Sequence, residues 1–178
     1  MAQLFTVGHS NRSLIEFINL LAAHHIKYLI DIRAIPRSRF VPWFNQQSLR
    51  AALEKKEIVY IPMPELGGRR HTQKDSINLG WRNKSFRGFA DFMQTEEFFL
   101  ALKKLNQYLK KSKFVAIMCA EAVPWRCHRS LIADAQIARG VFVAHIMNAT
   151  TLHPHALTSF AKVHKNSRPL RVTYPKIE

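Results

Sequence analysis

Short apolar runs alternate with segments of helical periodicity along this chain. Apolar runs at residues 4–7, 28–30, 58–61, 114–118 and 141–146 predict strands. Helices are predicted over residues 14–22, 46–56, 88–93, 96–111 and 127–139, between or after these runs. Alternating strands and helices favour right-handed crossovers and a parallel sheet covered on both faces. We therefore expect a three-layer α/β fold with a mainly parallel central sheet of about five strands.

Two segments depart from this pattern. Residues 66–88 show no clean period and combine glycines with many basic side chains, which is typical of a long functional or mobile loop. Residues 154–178 form a basic tail that we expect to be part helix and part extended. There is no internal repeat or low-complexity block, so the prediction is a single domain over residues 1–178.

The charge balance is the strongest signal in the composition. The chain has 27 Lys and Arg residues against 12 Asp and Glu residues, which gives a net charge of +15. A cationic surface binds polyanions well because each neutralised phosphate releases counterions. We therefore expect nucleic acid as the partner, with DNA favoured over RNA; a basic surface that serves only solubility is the alternative. The sequence predicts no oligomeric state.

Membrane segments and a disulfide framework are not expected. No run approaches the roughly 18 apolar residues that a spanning helix needs. The first residues carry no basic leader, so we expect a cytoplasmic protein without a membrane partner. Two cysteines, Cys119 and Cys127, are too few for a disulfide framework.

Polar side chains directly follow three of the predicted strands. His9 and Ser10 follow the first strand, Asp31 and Arg33 the second, and Glu121 the fourth. In open α/β sheets ligands bind beyond the carboxyl ends of the strands, so these side chains predict one site. The predicted catalytic residues are Asp31, Glu121, His9 and His128, and the predicted substrate-binding residues are Ser10, Arg33, Arg69, Arg70, Trp43, Trp125, Arg126, Cys127 and Arg129.

Residues 119–129 hold the densest group of reactive side chains. The segment covers a predicted strand end, a loop and the start of a helix. A helix N-terminus offers free N–H groups and a positive dipole, and Arg126 and Arg129 add charged donors. We expect an anion to bind there. Pairing of the two arginines with Glu121 or Asp134 is the alternative.

Five short motifs occur in order between residues 6 and 145. They are Gly8-His9-Ser10, Asp31-Ile32-Arg33 followed by Pro36 and Ser38, Leu66-Gly67-Gly68-Arg69, Cys119-Ala120-Glu121, and Cys127-His128-Arg129. In this combination the chain resembles a bacterial family known as domain of unknown function 488. The resemblance implies an α/β fold and a shared site built from the matching positions, and it implies no agreed activity.

The first functional hypothesis is a metal-independent hydrolase of the DNA N-glycosylase type, acting in DNA repair or modification. Cleavage of an N-glycosidic bond is helped by a carboxylate that stabilises a cationic state or activates water, a role for Asp31 or Glu121. His9 or His128 would be a second group that carries a proton in the reaction. Aromatic side chains near basic loops, including Trp43 and Trp125, suit base stacking. The alternative role for Asp31 is a salt bridge to Arg33.

The second hypothesis is a thiol enzyme of the rhodanese or phosphatase kind. Those enzymes place a cysteine at a strand end and an arginine six positions later, whereas Arg126 here is seven positions after Cys119. Glu121 lies inside this loop, and a carboxylate there would raise the pKa of the Cys119 thiol. Cys127, at a helix start beside three basic side chains, is therefore favoured as the thiolate.

Three further hypotheses concern binding without catalysis and metal sites. A non-catalytic module could bind nucleic acid through the basic loops and tail alone. A zinc site through Cys119, Cys127, His128 and His9 is disfavoured, because the two cysteines lie farther apart than the usual zinc-ligand pair. A metal-dependent nuclease is disfavoured because few carboxylates are available. We expect neither a metal nor another cofactor.

Overall fold

A single six-stranded sheet forms the centre of the molecule in the computed structural model, which describes residues 1–178. Its strands are β1 (Gln3–Gly8), β2 (Tyr28–Asp31), β3 (Val59–Pro62), β4 (Val115–Cys119), β5 (Phe142–Ile146) and β6 (Leu152–Pro154). They lie in the order β3-β2-β4-β1-β5-β6. The edge strand β6 is antiparallel to β5, and all other neighbours are parallel.

Five helices cover the two faces of the sheet. The helices α1 (Leu14–Ala23) and α2 (Gln46–Glu54) pack on one face, and α3 (Lys84–Phe92), α4 (Glu96–Lys111) and α5 (Arg129–Ile137) pack on the other. A capping box starts α1, in which the hydroxyl of Ser13 accepts from the backbone N–H of Glu16 and the Glu16 carboxylate accepts from that of Ser13. The predicted three-layer α/β fold is confirmed.

The core is divided by the alternation of side chains along the strands. Leu4, Ile30 and Ile117 point into the layer of α3, α4 and α5, whereas their chain neighbours Phe5 and Leu29 point into the layer of α1 and α2. Both faces are apolar, as expected for parallel strands that are buried on each side. This sheet fixes the positions at which its strands end.

The tail differs from its predicted structure. It contains no helix; instead β7 (Lys162–His164) and β8 (Arg171–Thr173) form an antiparallel ribbon. Val172 and Tyr174 are buried against the main core, so the end of the chain is part of the folded unit. The ribbon could not be predicted from hydrophobic periodicity, because three-residue strands are too short to show a pattern. No helix has the length and apolarity needed to cross a membrane.

Residues 67–83 contain no helix or strand, in agreement with the predicted long loop. Its middle is tied to α3 by the buried Asp91 carboxylate, which accepts from the Gln73 backbone N–H, the Ser76 hydroxyl and the Asn78 amide. The helix predicted from residue 88 begins earlier, at Lys84, because Asn83 caps it. These contacts tie residues 73–78 of the loop to α3.

The end of β1 lies unusually close to the loop after β4. A Cβ atom at Gly8 would overlap the backbone carbonyl of Glu121 and the Cα atom of Ala122. We expect Gly8→Ala to displace this loop and to lower the free energy of unfolding by about 1–3 kcal/mol, as overpacking does. Urea denaturation measures the change.

The control for this substitution is Gly140→Asn. Gly140 has a positive φ and open space around its Cα atom, and asparagine tolerates that backbone region. We expect a smaller loss of stability there. Equal stability of the Gly8→Ala variant and the wild type would contradict the close approach.

Candidate functional site

A pocket of about 310 Å³ opens at the carboxyl edge of the sheet. The ends of β2 and β4, the loop after Leu66, and the first residues of α3 form its walls. The polar side chains that line it are Arg33, Arg69, Ser85, Cys119, Glu121, Arg126, Cys127 and His128. A concave site therefore lies at the edge of the sheet where the sequence placed these polar side chains.

Two cysteines form the floor of this pocket. Sγ of Cys119 lies 2.8 Å from Sγ of Cys127, and both residues are buried free cysteines. Burial alone would raise the pKa of Cys119. The hydrogen bond from Cys127 and the charge and hydrogen bond of Arg129 outweigh it, and they lower the pKa from 9.0 to about 7. The hydrogen bond to Cys119, together with burial, raises the pKa of Cys127 well above 9.0.

This order of the two thiols is the reverse of the one expected from the sequence. From the sequence, Cys127 was the expected thiolate, and the Glu121 carboxylate was expected to raise the pKa of Cys119. In the structure the Glu121 carboxylate is exposed and accepts from the backbone N–H of Val123 instead. Arg129, not Arg126, is the cation that contacts a thiol, with Nη1 of Arg129 at 2.7 Å from Sγ of Cys119.

Arg129 is enclosed behind the pocket with only 1 % of its surface exposed. Its guanidinium donates to the hydroxyl of Thr6, to the carbonyls of Glu121 and Ala122, and to Sγ of Cys119. The ion pairs of the chain are Arg33–Asp31, Lys104–Glu65 and His155–Asp134, so Arg129 has no carboxylate partner. The Cys119 thiol is the one ionisable group among its hydrogen-bond acceptors.

His128 borders the same floor. Its Nε2 lies 3.0 Å from the carbonyl oxygen of Leu66, which can only accept, so Nε2 carries the proton. Burial lowers the pKa of His128 to about 4, so the ring is neutral near pH 7 and Nδ1 is an acceptor. This Nδ1 lies 3.6 Å from Sγ of Cys127. The neutral imidazole is thus an acceptor directed at the second thiol.

Asp31 and His9 are buried beside the pocket, where they contact other protein groups. Asp31 is 1 % exposed, and its carboxylate accepts from Nε of Arg33 at 2.9 Å, from Nη2 at 2.7 Å and from the Tyr60 hydroxyl. The His9 ring is stacked on Phe44, and burial lowers its pKa to about 4. Neither Asp31 nor His9 lines the pocket, whereas Arg33 does. The salt-bridge alternative for Asp31 is the arrangement found.

The remaining predicted residues divide into two groups. Glu121, Arg126 and Arg69 lie exposed at the pocket rim. Four others lie away from its lining: Ser10; Trp43, whose Nε1 donates to the Arg12 carbonyl; Arg70, stacked over Phe92; and Trp125, which borders a separate pocket with His153. No cluster of three or more His, Cys, Asp and Glu side chains is arranged to hold a metal ion.

One contributor was missed at the sequence level. Thr6 is fully buried within β1, and its hydroxyl contacts both Arg129 and His145. The available signal was a single hydroxyl inside an otherwise apolar strand. Such a group needs a hydrogen-bond partner when buried, but sequence alone does not identify that partner.

Comparison with known proteins gives one match. The family described as Domain of unknown function DUF488 matches residues 13–136. This segment contains Cys119, Cys127, His128 and Arg129, whereas Thr6 and His145 lie outside it. No curated protein and no solved structure matches the chain.

Alkylation by iodoacetamide tests the Cys127 hydrogen bond to Cys119. In the wild type we expect the rate at Cys119, read by peptide mass mapping, to rise with pH around a midpoint of about 7. Cys127→Ala removes the donor, so we expect the midpoint to move upward and the rate at pH 7 to fall about three- to tenfold. Denatured protein, with a midpoint near 9.0, is the reference. A native midpoint near that of the denatured chain would contradict the assignment.

Three histidines with lowered pKa values predict a loss of stability in acid. The pKa values of His9 and His128 are lowered to about 4 and that of His145 to about 3, mainly by burial, from 6.5 in the unfolded chain. Below pH 6.5 the unfolded chain binds more protons, so this stability is lost as the pH falls towards 4. We expect the free energy of unfolding to decrease steadily from pH 6.5 to 5 in urea titrations. A flat profile there would show that these rings take up protons in the folded protein.

Proposed function

This chain belongs to the DUF488 family, and we propose that it is a thiol-dependent enzyme whose nucleophile is Cys119. In this proposal an anionic substrate enters the pocket at the carboxyl edge of the sheet. The Cys119 thiolate attacks it, and Cys127 is the second thiol of the site. The proposal follows the thiol hypothesis of the sequence, with the roles of the two cysteines exchanged.

The enclosure of Arg129 is the observation that carries the proposal. A guanidinium removed from water is costly unless an opposite charge or a full set of acceptors compensates it. Arg129 has three neutral oxygen acceptors and no carboxylate, and its remaining acceptor is Sγ of Cys119. Ionisation of Cys119 supplies the missing negative charge. The same contact makes the sulfur a nucleophile near neutral pH.

The position of the sulfur supports a catalytic role over a purely structural one. Cys119 is largely buried but lines the pocket, so a small substrate reaches it from the side opposite Arg129. A thiol with a pKa near ambient pH combines a high thiolate fraction with retained nucleophilicity. The pKa of about 7 for Cys119 lies in that range.

The pocket rim favours an anionic substrate. Arg69 and Arg126 are exposed at the rim, whereas Arg33, which also lines the pocket, is paired with Asp31. Glu121 is the one carboxylate among the lining residues, so the local charge is positive. The excess of basic residues over the whole chain adds long-range attraction for anions.

Sulfur chemistry is favoured over phosphoryl transfer. Cysteine phosphatases cradle phosphate with backbone N–H groups around the thiolate. Here the loop turns the carbonyls of Glu121 and Ala122 towards Arg129, and the Glu121 carbonyl lies 3.6 Å from Sγ of Cys119. Cys127, at 2.8 Å, is also in reach of any sulfur bound to Cys119. A sulfane-sulfur donor such as thiosulfate suits this arrangement.

In the proposed reaction Sγ of Cys119 attacks the outer sulfur of thiosulfate. The S–S bond of thiosulfate breaks and its electron pair leaves with sulfite, so Cys119 becomes a persulfide. A nucleophile such as cyanide then takes the outer sulfur and returns the thiolate. Attack by Cys127 instead would release hydrosulfide and leave a Cys119–Cys127 disulfide.

A second candidate is the nucleic-acid hydrolase of the N-glycosylase type. The observation that favours it is the Glu121 carboxylate at a cationic pocket in a chain of net charge +15. Asp31 is engaged by Arg33 and Tyr60, so Glu121 would activate the water in this reaction. DNA is the favoured substrate of this candidate.

Two matched variants separate the candidates. Thiocyanate formation from thiosulfate and cyanide is expected in the wild type, to fall at least about 10³-fold in Cys119→Ser, and to persist in Glu121→Gln. Base release from lesion-bearing duplexes without added metal would show the opposite dependence if the second candidate holds. A Cys119→Ser variant with full sulfur-transfer activity would overturn the thiol proposal.

A further inference from the structure

A continuous chain of hydrogen bonds runs from the pocket into the interior. Nε of Arg129 lies 3.2 Å from the Thr6 hydroxyl, which lies 2.6 Å from Nδ1 of His145. Nε2 of His145 lies 2.9 Å from Nδ1 of His155, and Nε2 of His155 lies 2.8 Å from the Asp134 carboxylate. The chain therefore connects the cation that contacts Cys119 to a fully buried anion.

One set of hydrogen-bond directions satisfies every group when both imidazoles are neutral. An ionised carboxylate only accepts, so Nε2 of His155 carries a proton, and in the neutral ring Nδ1 accepts. The Nε2–H of His145 must then donate to His155, and Nδ1 of His145 accepts from the Thr6 hydroxyl. The oxygen of Thr6 is left to accept from Nε–H of Arg129. In this assignment each group has one consistent role.

Burial supports this assignment at its centre. His145 is 3 % exposed, and burial together with the neighbouring His155 and Arg129 lowers its pKa to about 3. Further hydrogen bonds hold Asp134, at the inner end of the chain of hydrogen bonds. Asp134 also accepts from the Tyr174 hydroxyl at 2.8 Å and from the backbone N–H of Thr158 at 3.0 Å. No member of the chain is free to turn without breaking a buried hydrogen bond.

The sheet places these groups in one row. Thr6 of β1 is aligned with Ile117 of β4 on one side and with His145 of β5 on the other. Cys119 lies two residues beyond Ile117 on the same face of the sheet, and Arg129 starts α5 above that face. The hydroxyl of Thr6 therefore fixes Nε of the guanidinium while Nη1 faces the sulfur. Because the guanidinium is planar, a hydrogen bond at Nε restricts the direction in which Nη1 points.

We propose that Thr6, His145 and His155 are positioning residues that hold Arg129 against Cys119 and so keep the sulfur in its thiolate form. The inference rests on the proposed function, because it explains how the nucleophile of that reaction is prepared. None of the three residues lines the pocket that contains Cys119. Their effect passes through Arg129.

The charged and titratable groups around this chain are few. Cys119 faces Cys127 and Arg129. The charge of Arg129 also contributes to the lowered pKa values of Arg12 and His128. His145 faces His155, His153 and Arg129. Asp134 is the one carboxylate in this chain of hydrogen bonds, which therefore has a single anionic end.

The matched variants Thr6→Val and Thr6→Ser test the inference. Valine has nearly the shape of threonine but no hydroxyl, whereas serine keeps the hydroxyl. In Thr6→Val we expect the pH midpoint of Cys119 alkylation to rise and the rate at pH 7 to fall about three- to tenfold, with an unchanged plateau at high pH. Thr6→Ser should keep the wild-type midpoint. A merely structural role would lower stability in both variants and leave the midpoint in place.

A second variant acts from the far end of the chain and covers the case in which Thr6→Val fails to fold. His155→Gln breaks the hydrogen bond to Asp134. We expect the pH midpoint of Cys119 alkylation to rise, by less than in Thr6→Val. His164→Gln is the control, because the hydrogen bond of His164 to Thr173 does not belong to this chain of hydrogen bonds.

The outcomes separate this inference from the proposed function. A wild-type midpoint near 9 would overturn the proposed function together with this inference. A wild-type midpoint near 7 that stays unchanged in Thr6→Val and His155→Gln would overturn the positioning role alone and leave the nucleophile in place.

Discussion

The arrangement of the site depends on one buried cation without a carboxylate partner. Arg129 is enclosed by the sheet, by the loop after β4 and by its own helix, and it satisfies its donors with one hydroxyl, two carbonyls and one sulfur. A charge in such surroundings draws a proton off the one acidic acceptor it contacts. Cys119 is that acceptor, and its low pKa follows from the hydrogen bond of Cys127 together with the charge and the hydrogen bond of Arg129.

The fold supplies this constraint through strand order. β1 lies between β4 and β5, so a residue of β1 can contact groups on both neighbours. Thr6 uses this position to join Arg129 to His145. Two residues later, Gly8 has no side chain, and the carbonyls of the loop after β4 can approach and cap Arg129. One strand thus shapes both the polar and the steric surroundings of the guanidinium.

The sequence predicted the architecture and the edge at which the site lies, because buried parallel strands and their polar ends leave a strong local pattern. Cys119, Glu121, Cys127 and His128 do meet there. The roles within the site depended on side-chain direction, which sequence spacing does not contain. Glu121 turns its carboxylate away from the thiol and its carbonyl towards Arg129, so the argument that favoured Cys127 over Cys119 failed.

Asp31 shows a related limit. A carboxylate at a strand end is equally consistent with catalysis and with an ion pair, and only the three-dimensional contacts with Arg33 and Tyr60 distinguish them. Thr6 and His145 are 139 residues apart in the chain, so their pairing could not be found from local spacing. The tail ribbon was missed for another reason, because its strands are too short to carry a periodic pattern.

The most direct measurement of the central claim is the ionisation of each cysteine in the native protein, followed by NMR of ¹³Cβ-labelled cysteine across a pH titration. Single substitutions assign the two signals. We expect Cys119 to titrate at about 7 and Cys127 to remain protonated well above 9.0. If Cys127 ionises first, or if Cys119 ionises only near 9.0, Arg129 does not hold a thiolate and the account is wrong.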